Sequence, residues 1–135
     1  MDDAILKRLT HIESALRRMR EVYTTSAEQF ESDYTSQDSV IMNLQRACEA
    51  SIDVANIVNK QQGNGIPQSS RDSFELLKKA GVIEAPLALG LQKMVGLRNI
   101  AVHDYQTLNL DIVKHVIEHK LVDFETFVSV MKRLK

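Results

Sequence analysis

The sequence predicts an all-α protein: an antiparallel bundle of four main helices with one additional short helix. Two observations carry this. Apolar residues recur at steps of four and three along most of the chain, which is the spacing of a helical face. Aromatic content is 5%, with no Trp, two Pro and five Gly, too little strand-former and turn chemistry for a β sandwich. A chain of 135 residues fits a single domain spanning 1–135 and can bury a real core.

From about Asp3 to Tyr23, the residues Ile5, Leu9, Ile12, Leu16, Met19 and Tyr23 form one stripe, so a helix is expected there. Its other side carries Lys7, Arg8, Arg17, Arg18 and Arg20, partly offset by Glu13 and Glu21. This reads as a solvated face in preference to an RNA-binding patch. Thr24 to Ser39 is polar and weakly periodic. Phe30 and Tyr34, four apart, allow a helical extension in which Tyr34 anchors the connection to the core or stacks a base. Ser36 or Asp38 is a candidate cap for the helix that follows.

A second long helix is expected over about Ser39–Lys60, with Ile41, Leu44, Cys48, Ser51, Ile52, Ala55 and Val58 on its inner face. The small residues Ala47, Ser51 and Ala55, four apart, let a neighbouring helix approach closely. Glu49 and Asp53 share a face; they read as solvated carboxylates or partners for Arg46 in preference to a metal or acid–base pair. Cys48, the one cysteine, reads as a small buried hydrophobe and excludes an internal disulfide framework, as expected in a reducing cytoplasm.

Gln61 to Ser70, with Gly63, Gly65 and Pro67, is the clearest break and reads as a loop. Its Gly-Asn-Gly lacks the spacing of a phosphate-cradling motif. A short helix follows over Ser70–Ala80, with Phe74 and Leu77 inward and Gly81 as its C-terminal stop. Glu84-Ala85-Pro86 reads as the next start, and Leu87, Leu91, Met94, Leu97 and Ala101 carry that helix forward. Gly90 and Gly96 are costly inside it, which predicts close packing or a local irregularity. Thr107-Leu108-Asn109 reads as a turn and cap. A last helix is expected over Leu110–Leu134, with Val113, Val116, Leu121, Phe124, Val128 and Met131 inward, and Lys132, Arg133 and Lys135 suiting its C-terminal end.

No apolar run approaches the ~18 residues of a membrane span. The acidic start Met1-Asp2-Asp3 leads into a charged helix and does not read as a secretory signal. A net charge of −1 and a pI of about 6.4 argue against holding nucleic acid by charge alone, for which a pI above ~9 is usual. Any RNA handling therefore rests on a local group of residues.

Such a group stands at Arg98-Asn99-Ile100-Ala101-Val102-His103-Asp104-Tyr105. Ile100, Ala101 and Val102 predict a backbone pinned against the core, from which the polar groups project rigidly. Cleavage of RNA by its own 2′-hydroxyl needs a base, an acid and a cation, and a substrate without that hydroxyl, such as DNA, is not expected. His103 is suited to the acid or base role, since imidazole exchanges protons near neutral pH. Arg98 is suited to gripping the phosphate with two parallel hydrogen bonds. Asn99 is placed to orient the phosphate or to hold the imidazole tautomer.

On an unbroken helix Arg98 and His103 stand ~140° apart, while Asn99 and His103 share a face. Either the helix ends near His103, or the arginine reaches around. One imidazole cannot be acid and base at once, and a symmetric homodimer would supply two. The plain alternative is a His–Asp cap without catalysis. His115 and His119, four apart, are spaced as a metal pair but have no evident third ligand, so no metal site is expected.

The Arg98-Asn99-x-x-x-His103-x-Tyr105 pattern, together with chain length and helix order, resembles the HEPN ribonuclease superfamily, and its His-x-Tyr ending is similar to the HepT-like toxins. The resemblance implies a toxin of a toxin–antitoxin pair: a metal-independent endoribonuclease with no cofactor, its site composite across a homodimer, leaving a cyclic phosphate. It implies Arg98 and His103 as catalytic residues, with Asn99 supporting. It also implies that Tyr105 receives AMP from a cognate minimal nucleotidyltransferase antitoxin. The alternative within the resemblance is a non-catalytic HEPN-like binding module beside a nucleotidyltransferase.

Overall fold

The computed structural model describes residues 2–104 and 108–134; Tyr105, Gln106 and Thr107 lie outside the described residues, as do Met1 and Lys135. The described chain is built from helices α1 (Asp3–Ser26), α2 (Tyr34–Gln62), α3 (Ser70–Lys79), α4 (Ala85–His103), α5 (Leu110–His115) and α6 (Leu121–Arg133). A 3₁₀ turn, Ala27–Gln29, extends α1, and a π turn, Val116–Lys120, joins α5 to α6 without a break. Those last three pieces form the fourth long rod of the bundle, and α3 is the additional short helix. This is the all-α arrangement expected from the spacing.

The expected apolar stripes become one core. Leu9, Ile12 and Met19 of α1, Leu44 and Val58 of α2, Phe74 and Leu77 of α3, Leu91 of α4 and Phe124 and Phe127 of α6 are all buried in it. Phe74 and Phe127 meet edge to face, their centroids 5.9 Å apart. α1 packs mainly along α2, where Ala47, Ser51 and Ala55 are buried; the Ser51 hydroxyl is satisfied by the Ala47 carbonyl at 2.7 Å.

Three local expectations are corrected. α2 starts at Tyr34, well before Ser39, because the Asp33 carboxylate caps it by accepting from the Ser36 amide at 3.1 Å and hydroxyl at 2.7 Å. Those bonds hold the Asp33 carboxyl below the usual carboxylate range. Phe30, not Tyr34, anchors the connection: Phe30 is fully buried edge-on to Tyr23, whereas Tyr34 is 75% exposed. The last rod is not a uniform α-helix. Val113, Ile117 and Leu121 are buried at steps of four, a repeat that would drift ~80° on a regular helix. The wider π turn absorbs that drift and keeps all three inward.

These helix boundaries fall where the sequence placed them. Gly63 closes α2 with φ +68°, Gly81 follows α3 with φ +77°, and Asn109 caps α5 through its side chain. Both helical glycines of α4 mark close packing without a break. A Cβ on Gly90 would run into the Asp123 carboxylate of α6, and one on Gly96 would come within 2.6 Å of Arg71 Nη2. Burial beside α4 raises the Asp123 carboxyl above its ordinary range, with Lys120 pulling the other way. Among the described residues no helix is long and apolar enough to cross a membrane.

Candidate active site

The polar run occupies the last turns of α4. The helix continues through His103, and the Asp104 amide closes it by donating to the Ile100 carbonyl at 2.8 Å. The helix therefore ends at His103. Because it stays regular up to that point, consecutive residues fan out by ~100° and only one of the three apolar residues can face the core. That one is Ala101; Ile100 and Val102 are 42% and 50% exposed, against the expectation that all three pin the backbone. The run thus presents apolar as well as polar side chains to the outside.

Arg98 turns back into the bundle. Its Nη1 donates to Glu49 Oε1 of α2 at 2.9 Å, and its Nη2 donates to the Ser70 hydroxyl at the start of α3 at 3.3 Å. The arginine side chain is 16% exposed, and its Nε is buried with no hydrogen-bond partner among the described residues. A guanidinium offers five N–H donors. Among the described residues Glu49 and Ser70 each take one of them. Cys48 lies by the same group. Burial pushes its thiol up to about 12, with the arginine's charge pulling the other way, so it remains an inert thiol, as its place in the core suggested.

Glu49 stays about half exposed, as expected of a solvated carboxylate, but its partner is not Arg46. By sequence alone Arg46 or solvent is the expected partner of both Glu49 and Asp53. In the fold Glu49 holds Arg98, and Asp53 faces Arg8 of α1 at 3.5 Å. Ser70 shows in the sequence only as a helix start. No local signal marks either contact, since Glu49 and Arg98 belong to different helices and the rotation of α2 against α4 decides which groups meet. Several cations of α1 are likewise ion-paired, Arg18 with Glu21 and Arg20 with Glu125, in keeping with a solvated face.

Asn99 and His103 are both exposed and lie four apart on the outer side of α4. Arg98 is ~140° round the helix from His103 and ~7.5 Å back along it. Its side chain is committed to α2 and α3 and does not reach around. One chain therefore holds a fixed cation and a solvent-facing imidazole on different sides of one helix end. His115 and His119 are exposed with ring centroids 4.9 Å apart. No group of three or more potential metal ligands gathers among the described residues.

The all-helical bundle is the fold of HEPN toxins. The chain belongs to the ribonuclease HepT-like family, whose model matches residues 12–131. It is 58% identical over 132 residues to the mRNA nuclease HepT of Shewanella oneidensis, covering 98% of both chains. Its fold superposes with a TM-score of 0.95 on a solved tri-AMPylated HEPN toxin of that organism in complex with MNT antitoxin. The identity there is 57%, covering 99% of this chain and 100% of that one. A crystal structure of a toxin–antitoxin with AMP-PNP is similar at TM-score 0.93 and 56% identity, covering 97% of this chain and 99% of that one.

Proposed function

We propose that this chain is the toxin of a toxin–antitoxin pair, a metal-independent endoribonuclease whose site is shared across a homodimer and silenced by AMP transfer to Tyr105. The observation that carries the reading is the split of Arg98 and His103 between two sides of one helix end. A phosphate seated against a single chain meets the anchored guanidinium or the imidazole, whereas two chains related by a two-fold axis can offer both. Exposed Ile100 and Val102 beside the motif supply apolar surface for such a contact. The mRNA nuclease and the antitoxin-bound toxin among the relatives support the same reading.

In this mechanism His103 of one protomer takes the proton of the ribose 2′-hydroxyl, and that oxygen attacks phosphorus. The bond from phosphorus to the 5′-oxygen breaks as His103 of the second protomer protonates the leaving oxygen. Arg98 holds the non-bridging oxygens while charge builds on them. Asn99, on the same side as His103, orients the phosphate. The products are a 2′,3′-cyclic phosphate and a 5′-hydroxyl, and no metal takes part. RNA incubated with the protein in excess chelator should be cut with those ends, and light scattering should report a dimer at micromolar concentration. Cleavage that stops in chelator, or a strict monomer of 15.3 kDa, would overturn the composite site.

Silencing follows from the place of Tyr105, two residues beyond His103. Its phenol oxygen attacks the α-phosphorus of ATP on the nucleotidyltransferase, forming an O–P bond, losing the phenol proton and releasing pyrophosphate. The attached nucleotide then brings bulk and negative charge to a site that must attract a phosphate. Tyr105→Phe should cleave RNA normally and stay active after incubation with antitoxin and ATP, while the parent is silenced and gains AMP mass on Tyr105. Normal silencing of the phenylalanine variant, or adducts confined to other residues, would refute this assignment.

A further inference from the structure

A second arginine, Arg71, rests on the side of α4 that carries Asn99 and His103, away from Arg98. Arg71 sits one residue after Ser70, the hydroxyl that receives Arg98, in the first turn of α3. Its backbone carbonyl accepts the Gln92 side-chain amide at 3.1 Å. Its guanidinium lies on Gly96, where a Cβ would come within 2.6 Å of Nη2. Gln92, Gly96, Asn99 and His103 are spaced four, three and four apart, which puts them within ~60° of one another around the helix. Arg71 therefore rests on the stripe that ends at Asn99 and His103. From Gly96, Asn99 is ~4.5 Å and His103 ~10.5 Å further along the axis.

Glycine in a helix interior is unfavourable relative to alanine, and the space released by the missing Cβ at Gly96 is filled by the Arg71 head group. Arg71 is nevertheless exposed. Among the described residues no carboxylate lies within 4.0 Å of it, whereas Arg98 is held by Glu49. A charged fork laid on bare helix backbone, aligned with the imidazole and lacking an acidic partner, is arranged to receive an anion.

We propose that Arg71, seated on Gly96, is a substrate-positioning residue that holds a phosphate of the RNA strand neighbouring the one under attack. The assignment rests on the ribonuclease reading above. It answers the problem posed by a net charge of −1: the strand is gripped at chosen points along one helix stripe instead of by a broad basic surface. The Ser70–Arg71 pair gives α3 its part in the site, one residue steadying Arg98 and the next extending the phosphate track.

The test measures binding of a mixed-sequence single-stranded RNA oligonucleotide to the non-cleaving His103→Ala chain over a range of salt concentrations. Adding Arg71→Ala should weaken binding about tenfold, the low end for a charge-assisted hydrogen bond. It should also reduce the slope of log affinity against log salt by ~0.7, the value of one phosphate contact on a single strand. Arg71→Lys should restore the slope with part of the affinity. Gly96→Ala should lift the guanidinium from its seat and weaken binding while the thermal midpoint holds or rises. In the otherwise unaltered protein, Arg71→Ala should raise KM for RNA much more than it lowers kcat. A parent that cleaves RNA, with Arg71→Ala binding as tightly and with the same slope, overturns the role of Arg71 alone. So does loss of the dimer in Arg71→Ala with the slope unchanged. A parent that cleaves no RNA overturns the ribonuclease reading as well.

Discussion

Replacing His103 with alanine is expected to abolish RNA cleavage and leave the fold intact. The residue is exposed at the last position of α4, so removing the imidazole opens no cavity and breaks no core contact; its effect on stability should stay within ~0.5 kcal/mol. The effect on rate is large because the composite site uses this side chain twice. Acid–base catalysis by one positioned group contributes roughly 10²–10⁴-fold, and the substitution removes the base from one protomer and the acid from the other. The comparison to make is cleavage rate against the thermal midpoint and helical signal of the same preparations. Wild-type rates in the variant would dispose of the proposed mechanism.

The second large effect is expected from Arg98→Ala, with a loss of ~10²–10³-fold, the usual cost of removing one donor that stabilises transition-state charge. This substitution differs from the first in touching the bundle as well as the site. Arg98 bridges α2 and α3 through Glu49 and Ser70, so its loss should also lower the thermal midpoint, by a modest amount because Glu49 is about half exposed and its side of the ion pair is screened by solvent. Arg98→Lys separates the two roles. A lysine keeps a charge near Glu49 but lacks the planar fork, so stability should largely return while activity stays well below the parent. Glu49→Gln should cost less activity than either, since its amide oxygen can still accept from Nη1 and only the orienting charge is gone. Full activity in Arg98→Lys would show that a point charge suffices and that bidentate geometry has no part in the reaction.

Much of this molecule is written in local spacing. Steps of three and four placed the inner faces of α1, α2 and α4, and glycines marked where helices stop and Asn109 where one starts, because helical periodicity and capping depend on neighbours in the chain. The polar run from Arg98 to Tyr105 was legible for the same reason: its residue types and spacing are contained in eight consecutive positions. Where local signals competed, they were less informative. The polar segment before Ser39 hid the start of α2, since serine, threonine and aspartate are as suited to a loop as to a capped first turn.

Tertiary packing decided the rest. Which carboxylate holds Arg98 depended on how α2 and α4 are rotated against one another, and Glu49 won a partner that no spacing rule names. Whether Ile100 and Val102 are core or surface depended on how far α4 remains regular, and a regular helix can turn only Ala101 inward. The π turn at Val116–Lys120 keeps Val113, Ile117 and Leu121, spaced by four, turned toward one core. Gly96 was visible as an anomaly in a helix, but only the approach of α3 shows that the missing side chain makes room for Arg71. Periodicity is a property of one helix, whereas a site is made by the contact of several, and the side chains that meet there are chosen by rotation and distance that the order of residues along one helix does not contain.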